Sequence, residues 1–122
     1  MATTVTATAK GLAASYIASL CDYIGALDAT AELSGGSYVR LHLAAGAFRS
    51  PAASVVAFTA TWADGTNNKF TIPAAKRVTR IAYYSASTGD TYYCIDDVTP
   101  EAYAAEGTYT LTSGSITVAD PA

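Results

Sequence analysis

Few side chains of this sequence have the type and spacing that acid–base or nucleophilic catalysis requires. His42 is the only histidine, and the segment around it contains no acidic residue that could orient its ring. A histidine that acts as a general base needs such a partner to fix the position of its proton. We therefore predict no catalytic residue, and we expect His42 to form hydrogen bonds on a strand surface or at an interface.

The potential metal ligands are few and poorly spaced. His42, Cys21 and Cys94 are far apart in the chain, whereas a structural zinc ion takes four nitrogen, sulfur or oxygen ligands. Asp96 and Asp97 are neighbours, and neighbouring residues of a strand point to opposite faces, so they would not form a carboxylate pair. Calcium binding at these two residues stays an alternative, but we predict no metal and no cofactor site.

The chain contains two cysteines, which are too few to define a disulfide framework. Cys21 falls in a predicted helix and Cys94 in a predicted strand. Because unpaired cysteines behave as small apolar residues, we expect two buried thiols, with a disulfide between them as the alternative.

The composition favours a chain whose surface is buried against other subunits. Of 122 residues, 51% are apolar and only 14% are charged, whereas average proteins carry about 25% charged residues. Nine tyrosines dominate the aromatic residues. Tyrosine suits interfaces because it combines apolar area with a polar tip, although half-buried strands use it equally well. The net charge of −3 argues against a nucleic-acid partner.

The N-terminal segment has neither the basic region nor the apolar run of a signal peptide. No stretch of the sequence approaches the roughly 18 apolar residues that a membrane-spanning helix needs. We therefore expect synthesis in a cytoplasm and no membrane partner.

The elements that would position these residues begin with a helix. Residues 1–10 alternate threonine with apolar residues and predict an extended arm or a strand. Residues Leu12–Leu27 predict a helix, because Leu12, Tyr16 and Leu20 recur at helical spacing. We expect this apolar stripe to pack against a sheet.

Short strands follow the helix. Alternating apolar and polar residues predict strands at 38–43, 55–63, 70–72, 77–85, 91–96, 108–112 and 115–119. Turn-forming residues predict loops at 34–37, 44–53, 64–68, 87–90 and 97–107. We expect strand 77–85 to form a hairpin with 91–96, and strand 108–112 to form a hairpin with 115–119.

The order of these elements predicts the fold class. Strands do not alternate with helices, so the sheets should be antiparallel. We predict a single mainly β domain over residues 1–122, an antiparallel β-sandwich of six to seven short strands with one N-terminal α-helix.

The strand faces supply candidate interface residues. Tyr38 and Arg40 would share the polar face of the 38–43 strand, where Arg40 would either reach a carboxylate of a neighbouring subunit or brace Tyr38 within one subunit. The opposite face would bury Val39, Leu41 and Leu43. Basic residues Lys76, Arg77 and Arg80 predict a solvated strand edge or a patch that meets an acidic neighbour. The full set of interface candidates is Tyr38, Arg40, His42, Trp62, Arg77, Arg80, Tyr83, Tyr84, Tyr92 and Tyr93.

Three segments resemble small virion proteins of tailed bacteriophages. Residues 32–40, Glu-Leu-Ser-Gly-Gly-Ser-Tyr-Val-Arg, are similar to that family's E-[VIL]-S-G-G-S-Y-x-R motif. Residues 78–89 are similar to its V-T-H-x-G-[IL]-[FWY]-x-A-x-T-G motif, although Ala82 stands where the family often has glycine. Residues 107–118 resemble the family's closing hairpin.

The resemblance implies a β-sandwich module with a preceding helix and a structural role in a phage particle. We expect a non-enzymatic capsid decoration or minor capsid protein that stabilises the head through contacts with the major capsid protein or other virion proteins. We also expect a homo-oligomer, with a trimer as one form, located in the virion after synthesis in the bacterial cytoplasm. The alternatives are a tail or tail-fibre-like subunit, and a carbohydrate-binding module that uses an exposed Trp62 or the tyrosine cluster.

Overall fold

The computed structural model describes residues 4–59, 61–63, 68–89 and 91–118. In this part of the chain the protein is mainly β, with antiparallel sheets in a sandwich-like arrangement and one helix at the N-terminal end, which confirms the predicted fold class. The elements are α1 Ala7–Leu20, β1 Tyr23–Asp28, β2 Ala31–Glu32, β3 Leu41–His42, β4 Val55–Thr59, β5 Lys69–Ile72, β6 Lys76–Tyr84, β7 Cys94–Tyr103, β8 Gly107–Thr110 and β9 Ser113–Thr117.

Helix α1 begins and ends earlier than the sequence predicted. The Thr6 side-chain oxygen accepts a hydrogen bond from the Ala9 N–H at 3.2 Å, so Thr6 caps a helix that the following alanines favour. The predicted arm over 1–10 is therefore wrong for residues 7–10, and residues 1–3 lie outside the described part. The predicted helix end at Leu27 is also wrong, because that segment pairs with β6 as strand β1.

Helix α1 packs mainly through small residues and exposes two large ones, while Ile17 packs partly against the core. Gly11, Ala14 and Ala18 are buried where the helix packs on the β4–β9 sheet, whereas Leu12 and Tyr16 are each 68% exposed. A side chain on Gly11 would come within 2.6 Å of a backbone carbonyl oxygen of the segment before β4. The predicted buried stripe is therefore wrong, because close backbone approach decides which face packs. None of the described helices is long and apolar enough to cross a membrane.

Strands β2, β1, β6 and β7 lie side by side in the main sheet, and β3 also pairs with β1. The predicted hairpin of 77–85 with 91–96 is confirmed, with Tyr83 opposite Cys94. Ile24 of β1 lies opposite Tyr83 on its other side. Strand β6 is therefore the centre on which the two flanking strands are registered.

Strand β7 is longer than predicted. It continues alongside β6 to Tyr103, so the predicted connection over 97–107 is wrong for most of its length. Pro100 lacks the N–H that a central strand needs, but β7 pairs only with β6 among the described strands and therefore tolerates it at an edge. The register of the ladder shifts between Val78 and Arg80, which accommodates the extra residues of β7 around Pro100.

The second layer consists of two strand pairs, β4 with β9 and β5 with β8. The predicted hairpin of 108–112 with 115–119 is wrong, because Tyr109 lies opposite Phe70 and Ile116 opposite Val56. Gly114, which indicated a turn, lies inside β9 instead. A side chain there would overlap the Tyr83 hydroxyl, so this glycine permits close packing of the layers.

The two remaining predicted strands are shorter in the structure. Strand β4 ends at Thr59, and Val56, Phe58 and Trp62 are all buried. Only Leu41–His42 of the predicted 38–43 strand is extended in a ladder. Ala60 and residues 64–67 of the predicted loop lie outside the described part.

The core fills the space between the layers. Its largest fully buried side chains are Tyr83, Phe58, Phe70, Ile24, Leu41, Ile72 and Val78. A smaller apolar cluster on the outer face of the main sheet comprises Leu27, Ala82 and Tyr84. The outer cluster forms the floor of the polar site described next.

Candidate functional site

The largest polar network in the described chain surrounds Arg40. Glu32 lies in β2, and the turn that follows has positive φ angles of 95° and 57° at its two glycines, which residues with side chains rarely adopt. The turn returns Tyr38 and Arg40 to Glu32, above Tyr84 of β6. We refer to Glu32, Tyr38, Arg40 and Tyr84 as the Arg40 cluster.

Four hydrogen bonds hold the guanidinium group of Arg40. Its Nε and Nη2 atoms donate to the two carboxylate oxygens of Glu32, both at 2.8 Å. Its Nη1 donates to the Ala86 carbonyl oxygen and its Nη2 to that of Gly89, both at 2.7 Å. The Arg40 side chain is only 4% exposed. It therefore ties β2 to the turn between β6 and β7 from inside the subunit.

Tyr38 and Tyr84 complete the cluster. The Tyr38 hydroxyl donates to Glu32 Oε2 at 2.8 Å and accepts the Ala26 N–H at 2.8 Å. The Arg40 Cζ lies 3.4 Å from the centroid of the Tyr84 ring, which is a close cation–π contact. Each charged or polar group of the cluster therefore has a partner within the same chain.

The cluster depends on the absence of a side chain at Gly25 in β1. A Cβ atom at this position would lie 2.8 Å from Glu32 Oε2 and 2.8 Å from Tyr84 Cε2. It would also lie 3.1 Å from the Tyr38 hydroxyl oxygen. Gly25 thus provides the space in which the ion pair forms.

Electrostatics keep the cluster charged. Burial acts to raise the pKa of Glu32, but hydrogen bonds from Arg40 and Tyr38 and the charge of Arg40 lower it below its ordinary value. The hydrogen bond to Glu32 raises the pKa of Arg40. Burial raises the pKa of Tyr38. These shifts keep Glu32 and Arg40 charged and Tyr38 neutral near pH 7, so the cluster acts as a brace within the subunit.

Four predicted interface residues are buried, which corrects their assignment to an exposed surface. Counted as whole residues, backbone included, Arg40 is 9% exposed, Trp62 is 5%, Tyr84 is 3% and Tyr83 is fully buried. For Arg40 the alternative interpretation, a brace within one subunit, is the one that the structure supports. The expected sugar-binding platform at an exposed Trp62 is wrong, because its ring packs edge-on against Phe58.

The neighbouring acids Asp96 and Asp97 serve different partners. Asp96 accepts a hydrogen bond from the Tyr83 hydroxyl at 3.1 Å, and Asp97 accepts one from Arg80 Nε at 2.8 Å. Burial raises the pKa of Asp96, with a further rise from the charge of Asp97. Among the described residues no group of three or more histidine, cysteine, aspartate or glutamate side chains could hold a metal ion.

The other interface candidates lie nearer the surface. Arg77 forms an exposed ion pair with Asp28 at 3.1 Å, so this part of the basic patch is neutralised within the subunit. The His42 ring stacks on Tyr23 with centroids 4.6 Å apart. Tyr93 is 50% exposed. Tyr92 is half-buried and packs edge-on against the Arg40 cluster at Tyr84.

The structure also reveals features that sequence reasoning missed. Val39, predicted to face the core, is 65% exposed, as are the helix residues Leu12 and Tyr16 to a similar degree. Cys21 and Cys94 are free cysteines. Cys21 is buried in the main core as predicted, whereas Cys94 is only half-buried and packs against that core.

The chain was compared with family models, with curated proteins and with solved structures. None of the three comparisons found a significant match. The resemblance to phage virion proteins therefore depends on the three sequence segments described above.

Proposed function

We propose that the chain is a non-enzymatic structural subunit of a tailed-phage particle, a decoration or minor capsid protein that stabilises the head. One observation carries the proposal: the polar residues of the motif-like segment are used inside the subunit, while large apolar side chains lie at its surface. Tyr38 and Arg40 of that segment both donate hydrogen bonds to Glu32. Leu12 and Tyr16 are each 68% exposed.

The exposed side of α1 is the surface that we assign to particle contacts. Leu12 and Tyr16 are four residues apart in a helix, so their side chains are neighbours on one face. Adjacent exposed leucine and tyrosine side chains are typical of protein interfaces, which are enriched in aromatic residues and poor in charge. The helix face that packs on the sheet consists of small residues, which leaves the large ones for a partner.

The internal bracing favours this role for a physical reason. A subunit that binds only the assembled shell stabilises the shell by mass action. Binding is tighter when no segment has to be ordered on contact, because ordering costs free energy. Arg40 already holds the turn between β6 and β7, because its guanidinium group donates hydrogen bonds of 2.7 Å to the carbonyl oxygens of Ala86 and Gly89.

The test uses heads purified from a phage that encodes the chain. We expect the recombinant chain to co-sediment with heads that lack it and to raise the temperature at which they release DNA. The double substitution Leu12→Ser and Tyr16→Ser should weaken co-sedimentation by at least about tenfold, since two apolar anchors are lost. Val39→Ser, another exposed apolar position, is the control and should bind as wild type.

Four results would argue against the proposal. The chain could fail to associate with any particle fraction, or the helix variant could bind as well as wild type while remaining folded. Association only with purified tails that lack heads would move the assignment to the tail-subunit alternative. Turnover of a substrate by the isolated chain would exclude a purely structural role.

A further inference from the structure

In α1, which the structure describes throughout, the exposed face carries no charged side chain. Leu12 and Tyr16 lie at the centre of this face, and the small residues Ala9 and Ala13 flank them on one side. The only charged residue of the helix is Lys10, which is half-buried and lies about 140° around the helix axis from that centre. A surface helix normally presents charged and polar residues to water, so this face has the composition of a contact surface.

A groove lies beside this face, at the N-terminal half of the helix. It has a volume of about 360 Å³ and runs between the start of α1 and the segment before β4. Its walls are uncharged and mostly small, and they comprise Ala7, Thr8, Gly11, Leu12, Pro51 and Ala53. Leu12 therefore has a groove one helical turn before it, at Thr8, and the exposed Tyr16 ring one turn after it.

The charge of the molecule limits which partner suits the α1 face. In a pair of identical chains related by a two-fold axis, residues at the axis meet their own counterparts. A charged residue there would face a like charge, which is unfavourable. The α1 face avoids this cost although the whole chain has a net charge of −3. A partner of opposite charge, by contrast, would find no group on this face with which to form an ion pair.

We propose that the partner of the α1 face is a second copy of the chain, paired antiparallel about a two-fold axis at Leu12. In this arrangement the residue four positions after Leu12 meets the residue four positions before it in the other copy. Each Tyr16 ring therefore lies at the groove beside the partner's Thr8, and the two Leu12 side chains meet at the axis. One copy supplies both the projecting ring and the groove that receives it, so the surface is self-complementary.

The pairing deepens the proposed function, because it names the partner at the surface that we assign to particle contacts, and its place on the head rests on that function. Pairs formed through α1 would link neighbouring copies on the shell. Copies that are already held side by side have a high effective concentration, so a weak contact between them is sufficient.

The size of the face determines the strength of the contact. A helix of 14 residues is about 21 Å long and about 10 Å wide. This footprint is small against the roughly 800 Å² per partner that a standard stable interface buries. We therefore expect a weak dimer, with a Kd between about 10 µM and 1 mM.

The experiment uses the isolated full chain and sedimentation equilibrium at concentrations up to about 1 mM. We expect wild type to pass from monomer to dimer over this range. Leu12→Glu and Leu12→Lys should each raise the Kd at least about tenfold, because like charges meet at the axis. An equimolar mixture of these two variants should recover dimers, since opposite charges then meet there.

Two further variants locate the contact. Tyr16→Ala should raise the Kd at least about tenfold, because it removes the ring that enters the groove. Val39→Glu introduces the same charge as Leu12→Glu at another apolar position, which is 65% exposed, and should dimerise as wild type does. All the substituted residues are exposed, so each variant should unfold at nearly the same temperature as wild type.

Other results would overturn the inference. Wild type that stays monomeric up to about 1 mM, or that forms trimers, would exclude this two-fold pair. Charge variants that dimerise as wild type does, or a mixture that recovers no dimer, would remove Leu12 from the axis.

The two proposals fail separately. A chain that stays monomeric but co-sediments with heads through α1 would have another virion protein as its partner, which contradicts the pairing and leaves the proposed function intact. A chain that dimerises through α1 but binds no head would support the pairing and argue against the phage assignment.

Discussion

Replacement of Arg40 by methionine should lower the free energy of unfolding by about 3 kcal/mol. Methionine keeps an apolar stem above Tyr84 but removes the charge and the hydrogen bonds to Glu32, Ala86 and Gly89. Loss of one partner from a buried ion pair costs about 3–5 kcal/mol, because the remaining charge is left uncompensated. The Glu32 side chain is 26% exposed, so water relieves part of the loss and the lower end of this range applies.

The matched control is Arg77→Met. Arg77 also forms an ion pair, with Asp28, but its side chain is 56% exposed. Exposed pairs contribute about 0–1 kcal/mol, so the control should be nearly as stable as wild type. Urea unfolding, followed by fluorescence of the single buried tryptophan Trp62, measures both variants. An Arg40→Met loss no larger than that of the control would refute the role of Arg40 as an internal brace.

The same variant gives a pH test with a defined sign. Burial acts to raise the pKa of Glu32, but Arg40 and Tyr38 lower it below 4.5 in the folded chain. The carboxylate therefore stabilises the fold fully above the unfolded pKa, and this contribution is lost as the pH falls through the lower folded pKa. The stability difference between wild type and Arg40→Met should shrink between about pH 6 and pH 3. If urea unfolding gives the same stability difference between wild type and Arg40→Met at pH 6 and pH 3, the Glu32–Arg40 ion pair is not its source.

Three further substitutions test the packing and the titration of the site by urea unfolding. Gly25→Ala should lower the free energy of unfolding by about 1–3 kcal/mol through overpacking. In the double variant with Arg40→Met the two losses should add to less than their sum, because both substitutions disrupt the same cluster. Full additivity would show that Gly25 and Arg40 stabilise the protein independently. Gly114→Ala should cost a similar amount, and Tyr83→Phe in the same chain should restore part of it by removing the overlapping hydroxyl. Asp96→Asn should stabilise the protein at pH 7 but not near pH 3. Burial raises the pKa of the Asp96 carboxyl, so its ionisation opposes folding. Equal effects of the substitution at both pH values would exclude ionisation of Asp96 as the reason.

Local signals in the sequence were sufficient for part of the fold. The hairpin of 77–85 with 91–96 was predictable because alternation and a turn-rich segment lie next to each other in the chain. The partners of β8 and β9 were not predictable from local signals. Each pairs with a strand far away in the sequence, and nothing at 108–119 indicates that a glycine and serine segment is needed for packing against Tyr83.

The Arg40 cluster shows why the site was only partly predictable. Arg40 was expected on a polar face because an arginine is rarely buried without partners. Its partners are Glu32 from a neighbouring strand and two carbonyl oxygens from the turn after β6, and only tertiary structure brings them together. The buried face of α1 was mispredicted because the apolar stripe does not decide it. Gly11 packs closely against the backbone of the segment before β4, and this approach turns Leu12 and Tyr16 outward.

The position of β7 at the edge of the main sheet affects how copies of the chain could pair. Strand β7 is the long outer strand of the main sheet, and a free strand of this kind invites continuation of the sheet into the next molecule. Pro100 offers no N–H to such a ladder, and Glu101 beside it would face a like charge if two copies met there. If many copies of the chain came together, these two residues would oppose open-ended growth of the sheet at β7.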